Sequence, residues 1–441
     1  MSEIWARAIL ATYRWAGAAA YPLIGGYIGW RVNKGKEDRA RRHERYGRPS
    51  RPRPAGPLVW VHAASVGETV AVLGLIEHLL SGGINIVLTT GTVTSASVAS
   101  ERLGERVIHQ YVPLDLKPAV NRFLNHWRPD LAIMAESEIW PMTILELGAR
   151  RIPQVLVNGR MSDRSFENWR KRPYLAEALF ENLSHVVAQS EVDGERFRKL
   201  GSRPVTVSGN LKVDTALPPV EEDALASLRE AIGDRPTWAA VSTHEGEETI
   251  AGEVHQKLKR RHPGLLSIIV PRHPERCEVV KAALEELGLK VATRTSKDPV
   301  GADVDVLLGD TIGEMGLYLR LTEIAFVGRS LTGEGGQNPL EPAMLDTAVL
   351  SGANVQNFRD SYRKLISGGG ARLVRDGQML AGAVNFLLNN EEKRKGMMAA
   401  GHATVAEMSG ALTRTVSALE PFIHPLILQS RLEGNHRDGE L

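Results

Sequence analysis

The chain has very little cysteine and few aromatic side chains. Of its 441 residues only Cys277 is a cysteine, and Trp, Tyr and Phe together make up 5%. A single cysteine excludes an intramolecular disulfide and suits a reducing compartment. Clusters of Cys and His with the spacing of a structural zinc site are also missing. The sequence therefore predicts neither a disulfide scaffold nor a zinc-stabilised one.

An excess of charge of one sign is lacking too. The 54 Lys and Arg residues nearly balance the 52 Asp and Glu residues, for a net charge of +2, so we expect no nucleic-acid partner. The mean hydropathy of −0.18 excludes a polytopic membrane protein. An apolar content of 43% and a charged content of 24% are typical of a soluble globular protein, and the length suits two or three domains.

Residues 1–54 differ from the rest of the chain. The longest uncharged run, Trp15–Trp30, has 16 residues, fewer than the roughly 20 that span a bilayer. The following flank, residues 31–54, contains ten Lys or Arg against three acids, which favours the cytoplasmic side and an anionic membrane surface. We expect a membrane anchor that either spans the bilayer or lies in its interface. A cleaved signal peptide and an ordinary core helix are the alternatives.

From residue 57 onward, short apolar runs rich in Val and Ile alternate with helical stretches, a pattern typical of parallel sheets covered by helices. The runs of the first half are LVWVHAA, INIVLTTGT, RVIHQYVPLD, LAIMAES, PQVLVNGR, SHVVAQS and PVTVSG. Those of the second half are TWAAVSTHEGEE, LLSIIVPRHPER, LKVATRTS, DVLLGDT, IAFVGRSL, TAVLSGA and ARLVRD. The Pro pair and acids of residues 211–224 interrupt the pattern and mark a domain boundary.

The predicted organisation is therefore two Rossmann-like α/β domains. They comprise residues 55–215 and 216–400, and a helical segment, residues 401–441, follows, whose return to the first domain is left open. Ligands of parallel sheets bind at the carboxyl ends of the strands. We accordingly expect the site in the cleft between the two halves, and the polar segments that follow strands are its candidates.

The segment VWVHAASVGET in the first half is such a candidate. It predicts a strand, a turn with Ser65 and Gly67, and the start of a helix that carries Glu68. Corners of this kind usually bind a phosphate through free N–H groups, which a carboxylate would repel. Either Glu68 merely complements the helix dipole, or it serves as a general base at the strand end.

Two further polar segments follow strands of the first half. In AESEIWP, Glu136 and Glu138 come just after a buried strand, where helix capping would use only one of them. In SGNLK, Lys212 follows another strand. Lys212 is either a solvated surface residue or a cation placed near developing negative charge.

The second half has its own candidates at strand ends. Arg272 in PRHPER suits a phosphate or a carboxylate. Residues 309–315 (GDTIGEM) predict a helix cap with a Gly that permits close ligand approach. Residues 333–343 (GEGGQNPLEPA) form a glycine loop before a helix, where Glu341 could accept from ribose hydroxyls. The triplet Asp303–Asp305 has a D-x-D pattern, which chance explains better than a metal site.

Together these segments resemble one family, the 3-deoxy-D-manno-octulosonic acid (Kdo) transferases of lipopolysaccharide synthesis (glycosyltransferase family 30). The motifs that carry the resemblance, in order, are RRHERYG, ASVGET, ESEIWP, NGRMSDRS, GNLKVD, STHEGEE, PRHPER, GDTIGEM, AFVG-S and GGQNPLEPA. The resemblance implies a GT-B fold, two facing Rossmann-like domains preceded by an N-terminal membrane-anchor helix at the cytoplasmic face of the inner membrane. It also implies CMP-Kdo as donor at the second domain, a lipid A precursor as acceptor at the first, and neither a metal nor another cofactor.

The resemblance also implies roles for residues. Glu68 matches the proton acceptor, and Glu136 and Lys212 match the groups that stabilise the transition state. The segments that match the CMP site contain Pro271, Arg272, Ile312, Gly313, Glu314, Asn338, Pro339, Leu340 and Glu341. Further candidate contacts to donor or acceptor are Ser65, Gly67, Glu138, Arg160, His244, His273, Gly335, Gly336 and Gln337. The departures are Gln337 where the family commonly has His, Arg329 where Gly is common, and Ile312 where Met is common.

The reaction that the resemblance implies is an inverting displacement at the anomeric carbon of Kdo. An Arg-rich segment with Arg160, Arg164 and residues 170–172 either meets lipid phosphates or forms a solvated basic helix. Two other functions stay open, a GT-B transferase for another lipid or nucleotide sugar and a non-catalytic, membrane-attached nucleotide-binding protein. The oligomeric state is left open as well.

Overall fold

A computed structural model describes Thr12 and residues 24–35, 37–214, 217–296 and 298–438. Most of the predicted anchor lies outside these residues. Among the residues that are described, no helix has the length and apolar character needed to cross a membrane. The chain divides into two units, the first formed by Met1–Thr215 with Ser409–Leu441 and the second by Ala216–Met408.

The first unit contains a parallel sheet whose strands are the Val- and Ile-rich runs of the sequence. The strands are β1 (Leu58–Ala63), β2 (Asn85–Thr90), β3 (Ile108–Tyr111), β4 (Leu131–Ala135), β5 (Gln154–Gly159), β6 (His185–Ala188) and β7 (Val205–Val207). Their order is β3-β2-β1-β4-β5-β6-β7, with every neighbouring pair parallel. Because the order reverses between β1 and β4, the loops that follow these two strands diverge and open a crevice at the sheet edge.

Helices cover both faces of this sheet, because nearly every residue of its central strands is buried. The α-helices described in residues 24–199 are α1 (Ile24–Asn33), α2 (Val66–Ser81), α3 (Val93–Leu103), α4 (Lys117–Trp127), α5 (Pro141–Ala149), α6 (Asp163–Arg170), α7 (Pro173–Phe180) and α8 (Glu191–Lys199). Trp60, Phe123 and Trp127 belong to the core on one face, where the rings of Trp60 and Phe123 lie 4.6 Å apart.

The second unit repeats the architecture. Its strands are β8 (Thr237–Thr243), β9 (Leu266–Pro271), β10 (Val291–Thr293), β11 (Val306–Leu308), β12 (Ile324–Val327), β13 (Ala348–Ser351) and β14 (Ala371–Leu373). They are parallel in the order β10-β11-β9-β8-β12-β13-β14, so the order reverses between β8 and β12. Its helices are α9 (Glu222–Ile232), α10 (Glu247–Lys259), α11 (Cys277–Glu286), α12 (Met315–Leu319), α13 (Leu340–Met344), α14 (Arg359–Ser367), α15 (Gly377–Asn389) and α16 (Glu391–Met408). The predicted pair of parallel-sheet α/β domains is confirmed.

The C-terminal helix α17 (Ala411–Asp438) lies on the first unit. Leu419 and Ile423 are buried in the core that β1 and β2 share with α2. Asp214 fixes the start of the helix, because its carboxylate accepts the N–H groups of Gly410 at 2.8 Å and Leu412 at 2.6 Å. The division between the units falls after residue 408 and not after 400, since α16 packs on β13 of the second unit.

The basic flank of the predicted anchor is partly built into the first unit. Arg45 donates to both carboxylate oxygens of Glu37 at 2.9 and 3.1 Å, and Arg41 donates to both of Glu44 at 3.0 Å. Glu44 in turn accepts the backbone N–H of Tyr111 at 2.8 Å. The expectation of a lipid-facing flank is therefore wrong for Arg41 and Arg45, whose guanidinium groups are used within the protein. The exposed arginines of the flank are Arg39, Arg42, Arg48 and Arg51.

Candidate active site

The corner between β1 and α2 holds Glu68 in a defined position. Ser65 is the N-cap of α2, and its hydroxyl donates to Glu68 Oε1 at 2.9 Å. The backbone N–H of Ala64 donates to Glu68 Oε2 at 2.8 Å. Burial, and then the nearby carboxylates of Glu136 and Glu138, raise the pKa of Glu68 above its ordinary value. A raised pKa makes this carboxylate a stronger base than an ordinary glutamate, which suits a proton acceptor at a strand end.

Glu136 and Lys212 form an ion pair beside this corner. Lys212 Nζ lies 2.5 Å from Glu136 Oε1, with side-chain exposures of 17% and 7%. A Cβ placed on Gly67 would lie 3.8 Å from Lys212 Nζ, so the ammonium group sits over the start of α2. The structure thus brings together three residues that are widely separated in the sequence.

The backbone at Glu136 has a conformation that residues other than glycine rarely adopt. Its φ is +55°, directly after β4, and that of Asn158 at the end of β5 is +51°. The Glu136 N–H donates to Val157 O at 2.9 Å and its carbonyl accepts from the Arg160 N–H at 3.2 Å. Asn158 Oδ1 accepts the N–H of Leu211 at 3.0 Å, which fixes the turn that carries Lys212. Conformations of this kind are held at functional sites by surrounding bonds.

A buried histidine in β1 adds to the site. His62 Nδ1 lies 3.0 Å from the carbonyl oxygen of Thr89, and its Nε2 lies 3.4 Å from Glu138 Oε2. Trp140 Nε1 donates to the same Glu138 oxygen at 2.5 Å. His62 was missed from the sequence because it lies inside an apolar run. Because β1 is buried on both faces, its sequence has no alternation that would single out His62.

In the second unit, the loops after β8 and β9 carry Arg272, predicted to bind CMP, and His244 and His273, predicted to contact donor or acceptor. The Arg272 N–H donates to Thr243 O at 3.0 Å, which joins the two strand ends. The Arg272 side chain is exposed and has no hydrogen bond or ion pair with any residue that the structure describes. The rings of His244 and His273 meet edge to face with centroids 5.6 Å apart. Burial lowers the pKa of His244, which favours the neutral ring.

The segment Ile312–Glu314 also lies at the carboxyl edge of this sheet, after β11. The side chain of Ile312 is 66% exposed, and Gly313 has a φ of +88°. Glu314 is held by Arg294, whose Nε and Nη2 donate to its two oxygens at 3.1 and 2.8 Å. Thr311 donates to Glu314 at 2.6 Å. Arg294 was not among the predicted residues, although it follows β10 directly.

The glycine loop before α13 is held by its own bonds. Gly335 and Gly336 have φ values of +111° and +70°, and a Cβ on Gly335 would lie 2.3 Å from Asn357 Nδ2. Asn338 Oδ1 accepts the Leu340 N–H at 3.1 Å, and its Nδ2 donates to Glu341 Oε1 at 3.1 Å. The other predicted residues of the segment, Gln337 and Pro339, lie between these contacts, and the Gln337 carbonyl accepts from Tyr362 at 3.3 Å.

The acids of the D-x-D triplet have partners within the protein. Asp305 is buried and accepts from Lys259 Nζ at 2.5 Å and from the Lys290 N–H at 3.0 Å. Asp303 pairs with the Lys290 ammonium group. Within the described part of the chain, no group of three or more His, Cys, Asp or Glu side chains is arranged to hold a metal ion.

Comparisons with known proteins show which family and which fold this chain resembles. A family model described as 3-deoxy-D-manno-octulosonic-acid transferase (kdotransferase) matches residues 40–215. A 3-deoxy-D-manno-octulosonic acid transferase of Haemophilus influenzae is 36% identical over 91% of this chain and 96% of its own, and one of Bordetella pertussis is 35% identical over 86% and 91%. A solved putative UDP-N-acetylglucosamine 2-epimerase from Listeria monocytogenes has the same fold, with a TM-score of 0.61 at 14% identity over 84% of this chain and 98% of its own.

Proposed function

This chain belongs to the Kdo transferase family, and from that premise we propose that it transfers Kdo from CMP-Kdo to a lipid A precursor in lipopolysaccharide synthesis. The observation that carries the proposal is the carboxylate of Glu68 at the carboxyl edge of the first sheet. It is 8% exposed, oriented by Ala64 and Ser65, and has a raised pKa. A sugar hydroxyl is a poor nucleophile, and this group is suited to take its proton.

In the proposed step, the acceptor hydroxyl oxygen attacks the anomeric carbon of Kdo, with inversion. The bond from that carbon to the phosphate oxygen of CMP breaks, and CMP leaves with the electron pair. The hydroxyl proton moves to Glu68. General-base catalysis of this kind typically accelerates a reaction by roughly 10²–10⁴-fold. One bond to the anomeric carbon forms as one breaks, so the step needs no reactant besides the donor and the acceptor.

The cations of the two units have separate tasks in this proposal. Lys212, fixed by Glu136 beside Gly67, stabilises negative charge that develops during transfer. In the second unit the uncommitted guanidinium of Arg272 binds the phosphate of CMP or the carboxylate of Kdo. The segments around Ile312–Glu314 and Asn338–Glu341 bind the rest of the nucleotide. We propose that these cations replace a metal ion.

The membrane-related part of the proposal concerns the acceptor. A lipid A precursor is anchored in a bilayer, so an N-terminal anchor and exposed basic residues would keep the enzyme near it. Four basic side chains near α6 are exposed. Arg164 lies in its first turn, Arg170 at its end, and Lys171 and Arg172 directly after it. We propose that they meet lipid phosphates at the cytoplasmic face of the inner membrane. Assignment of the two parallel-sheet units to the GT-B class is part of the same proposal.

The direct test is transfer by the purified full-length chain in mixed micelles, with CMP-Kdo and a tetra-acylated lipid A precursor. Mass spectrometry is expected to show a product heavier by whole Kdo units, with CMP released in equal amount and undiminished activity in excess EDTA. Use of UDP- or GDP-sugars in preference to CMP-Kdo would indicate another transferase. CMP binding without turnover would indicate a non-catalytic protein. Strong inhibition by EDTA would contradict the metal-free mechanism.

A further inference from the structure

Glu247, at the start of α10, has an unusual set of hydrogen bonds. Its side chain is 1% exposed, and its two carboxylate oxygens accept four backbone N–H groups. Oε1 accepts from Ser330 at 2.8 Å and from Leu331 at 3.0 Å. Oε2 accepts from Arg329 at 2.6 Å and from His244 at 3.0 Å. One buried side chain thus joins the loop after β8 to the loop after β12, at the point where the strand order reverses.

Glu247 lies at the corner of the second unit that corresponds to the Glu68 corner of the first, although it is the first residue of its helix and Glu68 is the third. Both acids lie in the first turn of the helix that follows the first strand of their sheet. Glu68 has two donors, Ala64 and Ser65, and faces other carboxylates. Glu247 is saturated by backbone donors, and charge-assisted bonds of this kind are the stronger ones. The second corner therefore uses its acid to hold loops and not to accept a proton.

The loop that Glu247 holds is strained and closely packed. Arg329 has a φ of +55°, which a side chain disfavours. A Cβ on Gly328 would lie 2.6 Å from Ser242 O and 2.8 Å from Glu247 Oε2. The conformation of this loop thus depends on bonds from its surroundings, and Glu247 supplies three of them.

Two backbone bonds extend from this loop system to the proposed donor segments. The Arg329 carbonyl accepts the N–H of Gly336, within the glycine loop. The carbonyl of Thr243, next to His244, accepts the N–H of Arg272. Both bonds are 3.0 Å long. The segments that are proposed to bind CMP are therefore bonded to Arg329, whose N–H Glu247 accepts, and to Thr243, the neighbour of His244.

We propose that Glu247 is a positioning residue for the nucleotide-sugar donor, which sets the backbone frame on which Arg272 and the Gly335–Glu341 loop are mounted. The inference rests on the proposed function, because it assumes that these segments bind CMP-Kdo. Glu247 touches no reacting group. Its loss should therefore weaken donor binding much more than it slows transfer at saturating donor.

The test compares Glu247→Gln with Glu253→Gln in the full-length chain. A glutamine at 247 has one acceptor oxygen, so either orientation of its amide turns an N–H₂ group toward two backbone N–H donors. Glu253 is the control, since it lies on the same helix, is exposed and has no bond to the loop N–H groups or to the donor segments. CMP binding is measured by calorimetry, and KM for CMP-Kdo, KM for the acceptor and kcat by transfer assay.

We expect Glu247→Gln to raise the Kd of CMP and the KM of CMP-Kdo by about tenfold or more, because two buried donors lose their partners. The KM of the acceptor should stay within about twofold, and Glu253→Gln should bind CMP like the wild type. An unchanged Kd in a folded Glu247→Gln protein would overturn the inference, as would equal losses in both variants. If Glu247→Gln does not fold, Glu247→Asp, one methylene shorter, takes its place, and unchanged CMP binding by it overturns the inference.

Measurements on the wild-type protein distinguish failure of the positioning role from failure of the proposed function. Wild-type binding of CMP and transfer of Kdo, together with unaltered binding by Glu247→Gln, would refute only the positioning role. Absence of CMP binding by the wild type would refute the proposed function and this inference with it.

Discussion

The ion pair between Lys212 and Glu136 allows a stability prediction that depends on the geometry of the site. Lys212→Met keeps the aliphatic stem and removes the ammonium group, so the Glu136 carboxylate, 7% exposed, loses its partner 2.5 Å away. Removal of one partner from a fully buried pair costs about 3–5 kcal/mol. Lys212 is 17% exposed and water reaches it in part, so we expect about 2–4 kcal/mol for the first unit.

A second lysine of the same unit provides the control. Lys199 lies 3.7 Å from Glu195, and both side chains are about two-thirds exposed. Lys199→Met should therefore change the free energy of unfolding by about 0.5 kcal/mol or less. Urea denaturation followed by tryptophan fluorescence reports both variants.

The double variant Glu136→Gln/Lys212→Met separates stability from activity. It removes the unpaired charge, so most of the lost stability should return. Transfer should nevertheless stay reduced by about two orders of magnitude or more, since the proposed stabilising charge is gone. A loss of stability in Lys212→Met no larger than in Lys199→Met, or transfer of Kdo by the double variant at the wild-type rate, would refute the role given to this ion pair.

Three further predictions concern other parts of the chain. Glu68 must be ionised to accept a proton, and the charge of Glu138 contributes to raising its pKa. Glu138→Gln should therefore move the acidic limb of the kcat/KM–pH profile to lower pH, and an unmoved limb would contradict this. A Cβ at Gly352 would lie 1.9 Å from the carbonyl oxygen of Ser330, so Gly352→Ala should destabilise the second unit to urea by about 2–3 kcal/mol, and a loss below that of a surface substitution would argue against the packing described. Cys277 is buried and its pKa is raised by burial to about 11, so a disulfide reagent at pH 8 should modify it slowly in the native protein and rapidly in urea; equal rates would show that the thiol is accessible.

The sequence predicted the strands well because buried parallel strands have a pattern that is hard to mistake. Runs such as LAIM and VLLG need no alternation, since both faces of the sheet are covered. The breaks between the runs are small and polar residues that end strands or cap helices. The break at residues 211–224 was equally readable, because two prolines and an acidic run suit neither a strand nor a helix interior.

The partners within the site were much harder to predict. Glu136 and Lys212 come together because β4 and β5 are neighbours and Asn158 on β5 holds the turn that carries Lys212. Strand order depends on which helices cross which face, and hydrophobic periodicity does not encode it. The bonds of Glu247 were equally hard to predict. An acid in a first helical turn resembles an ordinary helix-start residue, and only the fold shows that the loop after β12 lies beside it.

For the basic flank, the sequence led to a prediction that was too broad. A run of arginines after an apolar segment is usual for a membrane-proximal sequence, and it led to a lipid-facing prediction for the entire flank. In the structure, Arg45 is 5% exposed and bonded to Glu37. Charge counts do not reveal such partners, because three acids among ten basic residues do not show which arginines they bind.

The most direct test of the account is the rate of Kdo transfer by Glu68→Gln. The amide oxygen can still accept the Ala64 N–H, so the corner should keep its fold and donor binding should be retained. With the proton acceptor removed, kcat should fall by roughly 10²–10⁴ while the KM of CMP-Kdo changes little. Transfer by Glu68→Gln at a rate close to that of the wild type would contradict the account.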